Sequence, residues 1–164
     1  MTKLITGSGD HVYEVIRPWG ELPTGMEFGN VSHVAVDSQD RVYAFQRKDP
    51  PVVVFDRDGK YLSSWGSGMF VDAHGIYISA DDHIYLVNRD GHQVVKCTLD
   101  GQVVMTLGTD GEPSFPGPFN HPADVAVGPN GDIYVADGYG NNRVHRFSAA
   151  GQLILSWGSR GKEP

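Results

Sequence analysis

The chain is poor in three things that would point to common protein classes. Its 164 residues include one cysteine, Cys97, so no internal disulfide can form, and its place in a strand suggests a packed, inert thiol. No window of a dozen residues carries apolar side chains at helical spacing, and no apolar run is long enough for a membrane helix. Met1–Thr6 does not resemble a signal peptide. We therefore expect a helix-poor protein with no membrane contact, and a cytoplasmic location.

Positive charge is also scarce. Thirteen Lys and Arg face 20 Asp and Glu, which gives a net charge of −7, and the basic residues form no run. Binding to a phosphate backbone depends on clustered Lys and Arg. The sequence therefore predicts no nucleic-acid partner.

What the chain has in quantity is an internal repeat, with most of its 21 glycines and 10 prolines lying between short apolar strands. Alternating β-branched and aromatic residues predict four strands per repeat, and Tyr43, Tyr85 and Tyr134 recur 42 and 49 residues apart. Units of this size with four strands are typical of β-propeller blades, whereas a β-sandwich, the alternative, would not explain the repeat. Three stretches share the plan: Val34–Gly66, Gly75–Gly108 and Val125–Gly158.

We assign residues 31–66, 72–108 and 121–158 to blades 1, 2 and 3 of an all-β, partial propeller domain that covers residues 1–164. Residues 12–20 match the strand that ends each repeat, so they are predicted to be the orphan outer strand of a preceding blade. Three blades and one strand are about half of a six-bladed propeller. A longer parent with a C-terminal half could complete the ring, or a second copy could self-associate through the open blade edges.

The topology of a blade predicts where chemistry would gather. The segment that leads into a blade and the loop after its second strand lie on the same face, which we call the mouth. His33 lies one residue later than the position equivalent to His74, so its side chain should point the other way and is expected to be a packing residue. The polar side chains expected at the mouth are those of Arg47, His74, Arg89, Asp124 and Tyr139.

These residues reproduce the NHL-repeat pattern, and more narrowly they resemble peptidyl-α-hydroxyglycine α-amidating lyase and its bacterial lyase-like relatives. The run from Pro122 to Val144, with Asp137-Gly-Tyr139, is similar to a near-identical run of that family. Ala73-His74-Gly75 resembles the Pro-His-Gly segment of the family, and Phe45-Gln46-Arg47 resembles its Phe-His-Arg. The resemblance extends over essentially the whole chain.

The resemblance implies a six-bladed, zinc-dependent lyase that cleaves an N–C bond in a carbinolamide. His74 would be one of three zinc histidines, and Tyr139, flanked by Arg47, would be the catalytic base for the substrate hydroxyl, because a nearby guanidinium favours phenolate. The positions equivalent to His74 are Ser32 and Ala123, so the other two ligands would lie in blades beyond residue 164. An aspartate at the position of Asp124 would imply a possible structural calcium.

Other interpretations stay open beside this one. His74 could instead hydrogen-bond the backbone of a neighbouring blade, and Arg89 fits a salt bridge at the rim. The whole protein could be a non-catalytic NHL propeller that binds a peptide, protein or small ligand at the mouth, or an assembly module that completes a ring with another chain. A six-bladed lactonase-type enzyme is a weaker alternative, because the calcium-binding cluster of acidic and amide residues on the axis of such enzymes is not visible in this sequence. Five histidines are expected to be solvated or on strand surfaces: His11, His83, His92, His121 and His145.

Overall fold

The structure, a computed structural model, describes residues 3–161. This range contains fourteen strands and no helix, so the all-β prediction is confirmed. Accordingly, no helix capable of crossing a membrane is found between residues 3 and 161. The strands form one two-stranded and three four-stranded antiparallel sheets, and in each sheet the spatial order of the strands follows the chain.

Each four-stranded sheet is one blade. Blade 1 consists of β3 (Val31–Val36), β4 (Val42–Gln46), β5 (Val52–Phe55) and β6 (Tyr61–Trp65). Blade 2 consists of β7 (Ala73–Ile78), β8 (His83–Asn88), β9 (Gln93–Thr98) and β10 (Val103–Gly108). Blade 3 consists of β11 (Asp124–Val127), β12 (Ile133–Asp137), β13 (Arg143–Phe147) and β14 (Leu153–Trp157).

The blades stack face to face, and the core lies between them. The middle strands of blade 1 are covered on both faces, which explains why β5 reads as the unbroken apolar run Val52–Phe55 and is buried throughout. In blade 3, buried and half-buried residues alternate along β12. One cluster joins Phe45 and Val52 of blade 1 to Leu86 and Cys97 of blade 2. A second cluster continues the core from blade 2 into blade 3. Burying each large apolar side chain contributes about 1.5–3 kcal/mol, so each blade depends on its neighbour for stability.

A recurring contact fixes how neighbouring blades meet. The last side chain of an outer strand lies on the glycine of the second turn of the next blade. A Cβ on Gly101 would come within 2.7 Å of the Trp65 ring, and a Cβ on Gly59 would come within 3.2 Å of the Trp19 indole. Gly101 also has a φ of +93°, which glycine adopts without strain. Trp19 is therefore placed against blade 1 as Trp65 is placed against blade 2.

The N-terminal strand differs from the sequence prediction of a lone strand over 12–20. Strand β2 covers only His11–Val15, and β1 (Leu4–Ser8) pairs with it, so the two form a hairpin. Ser8 and His11 are partners across a two-residue turn that starts at Gly9, where φ is +58°. Pro18 has no amide hydrogen to donate to a ladder and follows the end of the strand.

Candidate functional site

His74 is held at the mouth by a hydrogen bond from its own ring. It lies at the start of β7, where the register with β8 shifts between Ala73 and Ile76. Nδ1 lies 2.7 Å from the carbonyl oxygen of Ala123 in the segment leading into blade 3. Because a carbonyl oxygen can only accept, Nδ1 carries the proton and the lone pair of a neutral imidazole is on Nε2. The backbone contact anticipated for His74 is thus present, and it leaves the second ring nitrogen free to bind something else.

Tyr139 meets that second nitrogen. Its hydroxyl lies 3.0 Å from His74 Nε2, and the ring stands at 76° to the imidazole with centroids 5.5 Å apart. The phenol donates to the unprotonated Nε2. Tyr139 follows β12 in a loop and is 59% exposed, so it contributes little to the core. The structure therefore brings together two of the three site residues predicted from the sequence.

A guanidinium also contacts Tyr139, and it belongs to Arg89. The Arg89 Cζ atom lies 5.4 Å from the centre of the Tyr139 ring. From the sequence, Arg47 is expected beside Tyr139, and Arg89 in a salt bridge at the rim. Arg89 does form such a bridge, since its Nε lies 2.9 Å from Asp90 Oδ1, but it also covers the tyrosine. The only sequence signal for this was that Arg89 follows β8 as Arg47 follows β4.

Arg47 reaches the same group through Asp72. Its Nε lies 2.9 Å from Asp72 Oδ1, while Arg89 Nε lies 2.9 Å from Asp72 Oδ2. Asp72 is only 8% exposed, and its Oδ2 accepts no hydrogen bond of good geometry within residues 3–161. The Arg89 contact is therefore electrostatic, because the N–H of Nε points to Asp90. The hydrogen bond with Asp90, followed by the charge of Asp72, raises the pKa of Arg89 and keeps it cationic.

Asp124, the remaining residue predicted at the mouth, lies with His33 in the adjacent part of the interface between the blades. His33 Nδ1 is 3.5 Å from the amide nitrogen of Ile76 and 3.9 Å from Asp124 Oδ1. Gly75 passes so close to blade 3 that a Cβ would lie 2.7 Å from both Ala123 O and Asp124 Oδ1. Gly75 therefore allows His74 to come within hydrogen-bonding distance of Ala123.

Two of the histidines expected to be solvated form a pair instead. The rings of His92 and His121 are perpendicular with centroids 4.4 Å apart, and the His121 amide donates to His92 Nδ1 over 3.1 Å. His92 is buried, and this burial, followed by the charge of His121, lowers its pKa. The prediction that His92 and His121 have no convergent partners is wrong, because the loop after β8 reaches the segment leading into blade 3.

His145 is likewise inside the protein. It has no exposed surface, and its Nε2 lies 3.0 Å from Asp137 Oδ2 while Nδ1 lies 2.7 Å from the Ser156 hydroxyl. Asp137, also fully buried, accepts a hydrogen bond from the Asn120 amide. The expectation of a solvated His145 is wrong because β13 is a middle strand of its blade and the His145 ring packs against Phe119, with the ring centroids 5.7 Å apart. The Asp137–His145 pair supports the loop that carries Tyr139.

His74 is a suitable single ligand for a metal ion, because its Nδ1 hydrogen bond orients Nε2 as metal-binding imidazoles require. Among residues 3–161, no group of three or more His, Cys, Asp and Glu side chains is arranged to hold a metal ion. The residues present thus fit one position of a zinc site, and the remaining ligands would have to come from outside this range.

Comparison with known proteins identifies an NHL repeat in the chain and relatives among the amidating lyases. Residues 119–147 match the model of the NHL repeat. The chain carries an NHL repeat and resembles the amidating lyases. It is 40% identical over 103 residues to peptidyl-alpha-hydroxyglycine alpha-amidating lyase 1 of Drosophila melanogaster, a match that covers 61% of this chain and 19% of the fly protein.

A second relative is named for its NHL repeats and not for an enzymatic activity. Human NHL repeat-containing protein 3 is 34% identical over 152 residues, which cover 83% of this chain and 43% of the human protein. The chain thus spans less than half the length of either relative. A solved streptogramin B lyase superposes with a TM-score of 0.63 at 16% identity, over 90% of this chain and 44% of that protein. At that identity it shows the β-propeller fold alone.

Proposed function

We propose that the mouth of this NHL-repeat chain is part of a zinc-dependent lyase site of the amidating type, which breaks the N–C bond of a carbinolamide. The observation that carries the proposal is the 3.0 Å contact between His74 Nε2 and the Tyr139 hydroxyl. It joins a potential metal ligand and a potential proton acceptor from two different blades. The similarity to the Drosophila lyase supports the same reaction class.

His74 would hold zinc through Nε2, together with histidines from further blades or from a second copy. When bound, the zinc would supply Lewis acidity that makes the substrate hydroxyl easier to deprotonate. The Nε2 lone pair can serve a metal or the Tyr139 hydroxyl, but not both. A loaded site therefore frees the Tyr139 oxygen to face a substrate, while the Ala123 carbonyl keeps the imidazole in place.

Tyr139 would take the proton from the carbinolamide hydroxyl. The electron pair of that O–H bond forms the new carbonyl of glyoxylate, and the C–N pair leaves with the nitrogen, which takes up a proton to become the amide. Arg89, whose Cζ atom lies 5.4 Å from the centre of the Tyr139 ring, would supply the positive charge nearest to this base. Arg47, linked through Asp72, would orient the anionic end of the substrate from the neighbouring loop.

The test uses the natural polypeptide that carries residues 1–164, measured for bound zinc by mass spectrometry and for glyoxylate release from a peptide ending in α-hydroxyglycine. His74→Ala should lose both. His83→Ala is the matched control, because His83 lies at the opposite end of the blade and bonds to Asp81. Zinc content that is unchanged in His74→Ala would refute the role of His74.

A second candidate is a non-catalytic propeller that binds a peptide or small ligand at the same mouth. It is supported by the similarity to human NHL repeat-containing protein 3, a match that covers 83% of this chain. The same assay separates the two candidates. Peptide binding that depends on Tyr139 and Arg89, without zinc and without glyoxylate release, would support the binding protein.

A further inference from the structure

A cleft of about 480 Å³ lies between blades 2 and 3, far from His74 and Tyr139. Its walls include the turns after β7, β11 and β13, so it opens at the end of the blades opposite the mouth. We call it the turn-side cleft; the side chains used below are those of Tyr77, Asp81, Tyr85, Lys96, Pro129 and Ala149.

One cation in this cleft stands out when the three repeats are compared. In each blade the repeat tyrosine faces one residue across the ladder, and these pairs are Tyr43–Val54, Tyr85–Lys96 and Tyr134–Arg146. Arg146 lies over its tyrosine and also donates through Nε to Asp132 over 2.8 Å. Lys96 lies 5.3 Å above the Tyr85 ring, yet within residues 3–161 no carboxylate lies at ion-pair distance from its ammonium.

The repeats also explain why the cleft is open and lacks a carboxylate near Lys96. The second turns of blades 2 and 3 have the same hydrogen bonds, from Gly101 to Thr98 and from Gly151 to Ser148. By this alignment, Ala149 and Ala150 stand where blade 2 has Leu99 and Asp100. The corresponding cleft between blades 1 and 2 is smaller, about 330 Å³, and is lined by Leu99 and Asp100. In the cleft between blades 2 and 3, Ala149 and Ala150 thus stand in place of a leucine side chain and an aspartate carboxylate.

The remaining walls define which ligand suits the cleft. Tyr77 and Tyr85 stand at 62° to one another with ring centroids 6.5 Å apart, and together with Pro129 they offer flat apolar surface. The one carboxylate in the lining is that of Asp81, which accepts from the Ser79 hydroxyl over 2.6 Å and contacts His83 Nδ1 at 3.0 Å. The Ser79 hydrogen bond lowers the pKa of Asp81, so the cleft lining carries this one negative charge in addition to the Lys96 cation, and the two groups do not form an ion pair. A singly charged ligand therefore suits it better than a phosphate.

We propose that the turn-side cleft binds a small organic monocarboxylate with a planar apolar body, which pairs its carboxylate with Lys96 and lays its plane against Tyr77, Tyr85 and Pro129. This site is separate from the mouth, and the inference does not depend on the lyase activity. A half-buried lysine over an aromatic ring offers both a charge and an apolar surface to such a ligand.

The test titrates the 164-residue chain with benzoate and, separately, with benzamide, which has the same shape without the charge, and follows backbone and aromatic chemical shifts by NMR. Benzoate should shift Tyr77, Tyr85 and the turn residues around Ala149, and benzamide should bind at least about tenfold more weakly. Lys96→Met, which keeps the length of the side chain, should weaken benzoate binding by about tenfold or more.

A second variant tests the shape of the cleft separately from the charge of Lys96. Ala149→Leu restores the side chain found at Leu99 and should fill the cleft, so benzoate binding is lost although Lys96 remains. Lys48→Met, which changes a lysine paired with Glu27 at the other end of blade 1, should bind benzoate as the unchanged chain does. Equal binding of benzamide, shifts confined to the mouth, or benzoate binding unaffected by both Lys96→Met and Ala149→Leu would overturn the proposal.

Discussion

His74 Nε2 and the Tyr139 hydroxyl are separated by 65 positions in the sequence and by 3.0 Å in the structure. The contact crosses the interface between blades 2 and 3. It pairs a nitrogen lone pair with a phenol that lies under the Arg89 guanidinium. The mouth thus combines a hydrogen bond between two side chains, a neighbouring guanidinium and a tyrosine that is exposed to solvent.

The first prediction separates proton transfer from metal binding. Tyr139→Phe removes only the hydroxyl, so the natural polypeptide should keep the zinc content of the wild type while its glyoxylate release falls by about 10²-fold or more. Thermal unfolding should change little, because Tyr139 is largely exposed. The two measurements are metal analysis and kcat for the α-hydroxyglycine peptide. Full activity in Tyr139→Phe would remove the tyrosine from the proposed mechanism.

The second prediction concerns the buried pair below the mouth. Asp137→Ala leaves His145 Nε2, the Asn120 amide and the Asn141 side chain without their common acceptor. Since all of this lies inside the protein, the free energy of unfolding should fall by about 3 kcal/mol. Urea denaturation measures the change. Asp58→Ala, in an exposed turn, is the control and should stay within about 0.5 kcal/mol of the wild type; a similarly small loss in Asp137→Ala would contradict the buried network.

The third prediction is a dependence of stability on acid. Burial raises the pKa of Asp37, but hydrogen bonds from the Arg41 backbone and side chain and from the Gln39 amide outweigh it, so the net pKa lies below the usual 3.8. A lowered pKa in the folded state means that Asp37 stabilises the fold above about pH 4 and loses that contribution as the pH falls further.

The measurement is the unfolding free energy between about pH 5 and pH 2, for which Asp37→Asn should have a shallower acid slope than the wild type. Both proteins should be measured at the same salt concentration, because ion pairs are screened. If the two slopes coincide, the Arg41–Asp37 contact of 2.6 Å does not stabilise the charged form as argued.

The fourth prediction uses the single thiol. Cys97 is fully buried, and burial raises its pKa to about 11. At pH 8 only about one thiol in a thousand would be ionised, so the native chain should not react with an aromatic disulfide reagent over minutes. In urea the thiol should react at once and completely. Rapid reaction in the native state would place Cys97 outside the core between blades 1 and 2.

Periodic residues predicted the fold well. Tyr43, Tyr85 and Tyr134 recur at blade spacing, and all three lie in the second strands of their blades. The repeat also placed His74 and Tyr139 on one face, because the order of strands within a blade fixes which loops share an end. Nothing periodic marked Leu4–Ser8, so the pairing of β1 with β2 was not predicted.

Contacts between blades were harder to predict. His92, His121 and His145 occupy loop or strand positions that look exposed in a single repeat. His92 and His145 become buried, and His121 half-buried, only when the next blade or the next loop covers them. Whether Arg47 or Arg89 lies next to Tyr139 also depends on a contact between blades, which a single repeat does not reveal. Both follow a second strand, and side-chain direction across an interface decides which one reaches the ring.

Asp72 gives the mouth a property that none of its residues has alone. One buried carboxylate holds guanidinium groups from two successive blades, each at 2.9 Å. A ligand that draws Arg47 towards itself must loosen one of these ion pairs, and the remaining negative charge then holds Arg89 more firmly over Tyr139. Binding of a ligand at the Arg47 loop would thereby affect Tyr139, the proposed proton acceptor, in another loop. Asp72→Asn would abolish this coupling without changing either arginine.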